Sequence, residues 1–136
     1  MAALKEKMSR GKAVEEANRF VAARGLLPPQ IKDLQDNYDA LVVAIQYGRV
    51  TVNESGEIVQ KLAHPIGDNV KELKYALRIK VGDYNKRLKS ARINSRDVDD
   101  RIMALVATLT NQTTGVIDNM DFSDYTHSQN IAVFFQ

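Results

Sequence analysis

The residue types that carry catalysis or metal binding are sparse in this chain. The two histidines, His64 and His127, are far apart, and no metal-ligating residue stands at a regular spacing from either. There is no cysteine, so thiolate chemistry and disulfide bonds are excluded. The sequence also lacks the P-loop, the HExxH zinc motif, the GxGxxG fingerprint and the GxSxG nucleophile motif. We therefore expect no catalytic residue, no metal ion and no cofactor, and a protein that is not an enzyme.

One acidic cluster resembles a cation site at first sight. Asp97, Asp99 and Asp100 stand close together, but they lack the regular ligand spacing and the glycine of a calcium loop. They also precede the strongest helical pattern in the chain, and Asn94 or Ser95 can cap that helix. Negative charge at a helix N-terminus is stabilising, so capping explains this cluster better than a metal does.

The net charge of +2 conceals an uneven distribution along the chain. Residues 71–96 carry nine positive and two negative charges, whereas residues 97–136 carry one positive and six negative. A basic segment beside an acidic one favours ordered association with a charged partner, although solvated surfaces have the same pattern. Residues 71–96 could also contact nucleic-acid phosphates while Tyr75 or Tyr84 stacks on a base. Tyr75 is in phase with apolar neighbours, however, which favours a place in the core.

Length and composition predict one domain over residues 1–136. The chain has 136 residues, of which 44% are hydrophobic, and this is enough to build a core. No run approaches the ~18 apolar residues of a membrane span, so no membrane association is expected. The N-terminal sequence lacks the apolar segment and cleavage site of a secretory signal. A cytoplasmic location is the expectation that fits these features.

The hydrophobic periodicity predicts an α+β fold that begins with an N-terminal helical hairpin. The first helix covers 12–24 and ends at Gly25, and the second covers 29–47. In the second helix the apolar residues step by three and four, which is the spacing of a packing seam. Residues 1–48 thus form a helical lead-in to the rest of the domain.

After Gly48 the apolar spacing changes from helical to alternating, which predicts a three-stranded antiparallel meander. The strands are expected over 49–53, 58–64 and 72–81. In the third strand one face is apolar and the other basic. The apolar face is expected to consist of Leu73, Tyr75, Leu77, Ile79 and Val81.

Four helices are predicted after the sheet. The first is a basic helix over 84–91, and the second is a central helix over 97–110. The apolar stripe of the central helix is Val98, Ile102, Leu105, Val106 and Leu109. Asn111 should end this helix. Thr113 or Thr114 then caps a short helix, and Ser123 caps a last one that carries Tyr125, Ile131, Phe134 and Phe135.

Three stretches of the sequence resemble a known family. The first is Leu62-Ala63-His64-Pro65-Ile66. The second runs over 70–84 and contains Glu72-Leu73, Leu77-Arg78 and Asp83-Tyr84. The third combines the segment 103–110 with Ile117-Asp118-Asn119-Met120-Asp121-Phe122-Ser123-Asp124-Tyr125 and a final apolar helix. In order and spacing, residues ~57–135 are similar to the small tail assembly chaperones of contractile-tailed, Mu-like and P2-like bacteriophages.

The resemblance differs at two positions and leaves residues 1–48 uncovered. Lys80 stands where the family often has proline, and Asn111 stands where it has glycine. The resemblance implies a non-enzymatic cytoplasmic protein of an infected or lysogenic bacterial host. Such a protein binds the tape measure protein, the tail tube protein or both during virion morphogenesis, and self-association is a further possibility. A longer product made by ribosomal frameshifting is also a feature of such genes.

Two other functions are kept as alternatives. One is a structural tail or head–tail completion protein that is retained in the particle. The other is a small nucleic-acid-binding protein that uses residues 71–96, and nucleic acid is the less expected partner. For partner binding we single out Phe134 and Phe135, because five consecutive apolar residues exceed what one helix stripe can bury. Phe134 inward with Phe135 partly covered is the other interpretation. On the basic helix we single out Tyr84 and Arg87.

Overall fold

The computed structural model describes residues 5–90 and 98–135. Helices precede and follow a three-stranded antiparallel sheet of order β1-β2-β3, so the predicted α+β fold with its meander is confirmed. The strands are β1 (Val50–Val52), β2 (Ile58–Ile66) and β3 (Val70–Lys74). The helices are α1 (Arg10–Arg24), α2 (Pro28–Asp33), α3 (Gln35–Gln46), α4 (Val81–Ser90), α5 (Val98–Thr110), α6 (Thr114–Asp118) and α7 (Phe122–Ala132), and a 3₁₀ helix follows at Val133–Phe135.

The single helix predicted over 29–47 is in fact two helices. Leu34 has φ −103° and ψ 20°, which is outside the helical region, and its N–H bonds to the carbonyl of Ile31. Helix α3 begins after Leu34, and its first helical hydrogen bond runs from the N–H of Tyr38 to the carbonyl of Leu34. The apolar seam survives this break, because Leu41 and Ile45 are buried and Tyr38 packs against the core. Periodicity alone cannot show the break, since both pieces keep the same face inward.

The third strand is shorter than the prediction of 72–81. It ends at Lys74, and the N–H of Tyr75 donates to the carbonyl of Ile58, the first residue of β2. Because the strands are antiparallel, no residue of β2 remains to pair with anything after Tyr75. The next N–H, of Ala76, donates instead to the carbonyl of Leu109 at the end of α5.

This early end of β3 changes the predicted apolar face. Leu73 and Tyr75 are buried as expected, whereas Leu77 and Ile79 are only partly buried. Val81 is 76% exposed and belongs to α4, which begins three residues earlier than the predicted basic helix. Apolar side chains of the segment 75–80 and of α4 are therefore left at the surface.

The central helix α5 has the predicted range over its described residues, and most of its stripe is inside. Leu105, Val106 and Leu109 are buried, but Val98 is 53% exposed because it is the first residue of the helix. The expected capping residues Asn94, Ser95 and Asp97 lie outside the described residues. At the other end Asn111 adopts φ +54°, a left-handed conformation that asparagine tolerates, and it ends the helix as predicted.

The caps of the last two helices are only partly those predicted. The side chain of Thr113 accepts the N–H of Val116 and caps α6, as expected. Helix α7 is capped by Asp121 and not by Ser123, because the Asp121 carboxylate accepts both the N–H and the hydroxyl of Ser123. An aspartate two residues upstream thus supplies the acceptor that the first turn needs.

Helix α1 belongs to the core of the domain. The ring of Phe20 meets that of Phe134 edge to face at 5.5 Å, which joins the first helix to the C-terminal 3₁₀ helix. Gly56 brings the β1–β2 turn against α1: it has φ +88°, and a Cβ there would lie 2.6 Å from the Cβ of Ala23. Within the described ranges no helix is both long enough and apolar enough to cross a bilayer.

Candidate binding surface

The exposed apolar residues left by the short third strand border a cleft. We call it the Tyr84 cleft. It has a volume of about 440 Å³ and lies where the segment 75–80, α4, α5 and the 3₁₀ helix meet. Its lining residues are Ile79, Lys80, Val81, Tyr84, Arg101, Leu105 and Phe135. Apolar surface with two cations at its edge suits an apolar side chain that has acidic neighbours.

Tyr84 connects the two helices of this cleft. It stands in the first turn of α4, and its hydroxyl donates to the backbone carbonyl of Arg101 in α5 at 3.3 Å. Partial burial raises the pKa of the Tyr84 hydroxyl, against a lowering effect of the Arg101 charge. The phenol is therefore a neutral wall of the cleft at physiological pH.

A second, smaller cleft lies on the other side of Phe135. Its volume is about 270 Å³, and it shares Ile79 and Phe135 with the Tyr84 cleft. The guanidinium of Arg24 lies 4.2 Å from the centroid of the Phe135 ring, at cation–π distance. The remaining lining residues are Leu26, Leu77, Arg78 and Phe134.

Arg24 is poorly satisfied in this position. Its Nε and Nη2 atoms are buried and have no hydrogen-bond partner among the described residues. Burial, and then the positive charge of Arg78, lowers the pKa of the Arg24 guanidinium. An unpaired buried donor costs about 1–3 kcal/mol, more when it is charged. A carboxylate brought to this cleft would offset the like-charge repulsion between Arg24 and Arg78.

The charges around the two clefts have one sign. Arg24, Arg78, Lys80 and Arg101 line them, and no aspartate or glutamate is among their described lining residues. An acidic segment would be attracted to this surface, and salt would weaken the attraction.

The structure brings together two of the four residues singled out for partner binding. Tyr84 and Phe135 face the same cleft. Phe134 is 1% exposed and packs in the core, so an exposed aromatic pair is not what the chain presents. Phe135 is half-covered by Phe20 and Arg24. This is the second arrangement considered from the sequence, with Phe134 inside and Phe135 partly covered.

Arg87 lies apart from these residues. It lines a third, open cleft of about 660 Å³ between α4 and the end of α5, where Arg78, Lys80 and Lys86 also lie. Asp83 is the one carboxylate among the described residues of that cleft. The basic surface therefore extends from Arg24 to Arg87, around the segment 75–80.

A buried polar network, which sequence reasoning missed, holds α7 on the sheet. Gln60 is fully buried, and its side-chain carbonyl accepts the hydroxyls of Tyr75 and Ser128, each at 2.7 Å. Its amide nitrogen donates to the backbone carbonyl of Asp124 at 2.7 Å. The Asp124 carboxylate, 1% exposed, accepts the backbone N–H groups of Ala63 and His64 at 2.9 Å each. In the sequence, these polar residues show no regular spacing that would predict which of them form hydrogen bonds with one another.

The geometry bears on the hypothesis that Tyr75 stacks on a nucleic-acid base. Tyr75 is buried with its hydroxyl bonded to Gln60, so the core interpretation is confirmed and Tyr75 is not placed to stack on a base.

Across residues 5–90 and 98–135, no three His, Cys, Asp or Glu side chains gather in a way that could hold a metal ion. His127 is half-buried, which lowers the pKa of its imidazole, and it lies near the charges of Asp124 and Arg49.

No protein-family model, no curated protein and no solved structure matches this chain.

Proposed function

We propose that this chain is a tail assembly chaperone of a contractile-tailed bacteriophage, which binds the tape measure protein, the tail tube protein or both. The protein acts by non-covalent binding and not by catalysis. It works in the cytoplasm of the bacterial host while tails are assembled.

The observation that carries this proposal is how the three family-like stretches lie relative to one another. The first stretch donates the N–H groups of Ala63 and His64 to Asp124 of the third. The second stretch donates the N–H of Ala76 to the carbonyl of Leu109, also in the third. Direct hydrogen bonds thus join stretches that are far apart in sequence. This contact gives a physical reason why the three stretches occur together in one chain.

The proposed binding surface for the tail protein consists of the Tyr84 cleft and the smaller cleft beside it that Arg24 lines. An assembly chaperone must recognise an apolar segment that would otherwise aggregate, and release it later. A small, partly apolar cleft with a cationic rim suits such reversible binding. Charges at a rim raise the rate of association more than they raise the affinity of the complex. The matching segment in the tail protein has an aromatic or aliphatic side chain flanked by carboxylates.

Co-expression with the neighbouring tail genes tests the proposal. The tape measure or tail tube protein should co-purify with the wild-type chain, and Lys80→Glu should weaken this co-purification. Lys61→Glu is the matched control, since Lys61 is exposed on β2, outside the lining of both clefts. If neither tail protein co-purifies with the wild-type chain, the proposal fails.

Two further measurements separate the alternatives. A chaperone should be missing from the proteins of purified particles, whereas a structural tail or completion protein should be present in fixed copy number. Binding to nucleic acid that falls steeply with salt, together with no tail partner, would favour the nucleic-acid-binding alternative.

Val81 is a better probe of this surface than Phe135. Phe135 contacts Phe20 and Arg24, so Phe135→Ser would damage folding and binding together. Val81 is 76% exposed, and Val81→Ser should weaken partner binding while the melting temperature stays near that of the wild type. Val43→Ser in α3, where Val43 is 45% exposed, controls for the loss of an exposed valine.

A further inference from the structure

A second surface, opposite in character to the Tyr84 cleft, lies around Phe122. This ring is 81% exposed, the most exposed of the large hydrophobic side chains that the structure describes. It borders a shallow apolar pocket of about 230 Å³ with Met103, Met120 and Tyr125. An exposed aromatic ring beside an apolar pocket has the character of an anchor for a partner surface.

The charges around Phe122 are negative. Asp118 lines the same pocket, and Asp121, directly before Phe122, is exposed. Asp99 and Asp100 are close enough to raise the pKa of Tyr125, after the larger effect of burial, to about 12. Asp121 also lies near the imidazole of His64. We call this surface, Phe122 with its acidic surround, the Phe122 knob.

The knob and the Tyr84 cleft lie on opposite flanks of α5. Arg101 and Leu105, four residues apart, share the helix face that lines the cleft. Met103 is two residues from each and lines the pocket beside Phe122. At about 100° per residue, Met103 points nearly opposite to Arg101 and Leu105. One molecule therefore cannot insert its own knob into its own cleft, whereas two molecules can meet head to tail.

We propose that this protein self-associates head to tail, with Phe122 of one copy in the Tyr84 cleft of the next and with Asp118 and Asp121 facing Lys80 and Arg101. The ring supplies the apolar contact, and the carboxylates neutralise Lys80 and Arg101, which are the charged residues among the described lining of the cleft. Because the contact joins two different surfaces, it leaves a free knob and a free cleft at the two ends and allows further copies to add. Self-association needs no tail protein and does not rest on the proposed function, although a second copy would occupy the cleft that the proposed function assigns to the tail protein.

Sedimentation velocity of the full chain over a concentration series, at low and high salt, tests the inference. The wild type should show a concentration-dependent increase in sedimentation coefficient that salt diminishes. Phe122→Ser should weaken this association about tenfold or more, as loss of a central aromatic anchor does. Val43→Ser, which removes an exposed valine elsewhere, should leave it unchanged.

Mixing two variants gives the decisive measurement. The first, Phe122→Ser, lacks the knob and keeps the cleft. The second, Lys80→Glu with Arg101→Glu, reverses the rim of the cleft and keeps the knob. At a concentration at which the wild type associates and each variant alone is monomeric, the mixture should form a one-to-one complex, because one intact knob and one intact cleft remain. Thermal melting of each variant checks that it is folded, since all three side chains are exposed.

Three results would overturn the inference. One is a wild-type chain that stays monomeric at every concentration in low salt. Another is association that Phe122→Ser does not weaken. The last is a mixture of the two variants that sediments as the sum of its separate components.

Discussion

At the scale of single residues, Asp124 fixes α7 to β2, the central strand of the sheet. Its carboxylate accepts two consecutive backbone N–H groups, of Ala63 and His64, in the part of β2 where regular pairing with β3 is interrupted between Lys61 and Ile66. Those N–H groups would otherwise lack a partner in the sheet. A buried carboxylate is stable here because both of its oxygens accept hydrogen bonds.

Replacing this carboxylate by an amide should destabilise the domain. Asp124→Asn keeps the shape, but its amide nitrogen faces a backbone N–H, so one buried donor loses its acceptor. We expect the free energy of unfolding to fall by about 1–3 kcal/mol in a denaturant titration. Asp121→Asn is the control, because asparagine caps a helix about as well as aspartate. Equal losses in the two variants would show that Asp124 has no special role.

The buried hydroxyl of Tyr75 predicts a loss of stability in alkali. Burial raises the pKa of Tyr75 well above the value of 10.0 that it has when unfolded, a rise that the Ser128 hydroxyl opposes. Above about pH 10 the unfolded chain releases this proton and the native chain keeps it, so the free energy of unfolding falls as pH rises. The slope is about 1.4 kcal/mol per pH unit.

Denaturant titrations between neutral pH and about pH 11.5 measure this slope. The Tyr75→Phe variant has no hydroxyl proton to lose at this position. Its free energy of unfolding should therefore fall less steeply with pH, by about 1.4 kcal/mol per pH unit. It should be less stable than wild type at neutral pH, since Gln60 loses a donor. The same alkaline slope in both proteins would mean that Tyr75 ionises as easily in the native state as in the unfolded chain.

At the scale of elements, α5 is the helix on which the core is built. Leu105 is 6% exposed inside the stripe, and Leu105→Ala should lower the free energy of unfolding by about 2–5 kcal/mol, because it leaves a cavity. Val98→Ala, one heptad earlier in the same predicted stripe, should cost less than about 0.5 kcal/mol, since Val98 is 53% exposed. A melting temperature of Leu105→Ala within a degree or so of wild type would contradict this packing.

The turn between β1 and β2 is set by a close approach. Gly56→Ala combines a φ of +88° with a Cβ 2.6 Å from that of Ala23, so α1 and the turn must separate. Gly67 in the β2–β3 turn has φ +58° and open space around it, so Gly67→Ala should cost only the left-handed strain of about 1–2 kcal/mol. We expect Gly56→Ala to melt clearly lower than Gly67→Ala. If the two melt together, the contact with α1 is not required.

The elements whose limits were predicted well are those that local chemistry decides. Gly25, Asn111 and Thr113 mark helix ends because left-handed backbone and side-chain caps are local requirements. The end of β3 depends instead on where β2 begins, and this is a property of strand pairing. The alternation of apolar and polar residues predicted a third strand that continues to Val81. Its pairing with β2 stops at Tyr75, because the opposite residue, Ile58, is the first of β2.

The candidate surface was harder to predict, for a related reason. Tyr84 and Phe135 were singled out separately, but their meeting in one cleft depends on β3 ending early and on the 3₁₀ helix folding back over α1. Phe134 and Phe135 look alike in sequence, and packing against Phe20 places one inside and leaves the other at the edge. The buried Gln60 network also requires tertiary positions that no spacing rule supplies.

At the scale of the whole molecule, residues 1–48 are more than a lead-in. Phe20 of α1 and Leu41 and Ile45 of α3 are each at most 1% exposed, so they lie inside the same core as α5 and α7. The side chain of Asn37 in α3 also donates to that of Asn130 in α7 at 2.9 Å. The family-like region of residues 57–135 therefore has one side of its core covered by helices from outside that region.

A truncated chain of residues 49–136 should consequently fail to fold alone. Removing α1 and α3 exposes Phe134, Ile131 and the inner face of the sheet, and so large an apolar surface cannot stay in water in a compact form. We expect no cooperative thermal transition by circular dichroism and no dispersed amide spectrum. The full chain is the control for expression and handling.

Supplying the missing helices in trans distinguishes loss of the core from simple damage by truncation. Residues 1–48 expressed as a separate chain should bind the 49–136 fragment and restore a cooperative transition, because the break at Gly48 falls in a turn with φ +76° that links α3 to β1. Helices that form one core with the fragment recover most of their contacts even when the covalent link is lost. If the 49–136 fragment folds cooperatively by itself, the N-terminal helices are an accessory layer, and the family-like region is the true folding unit.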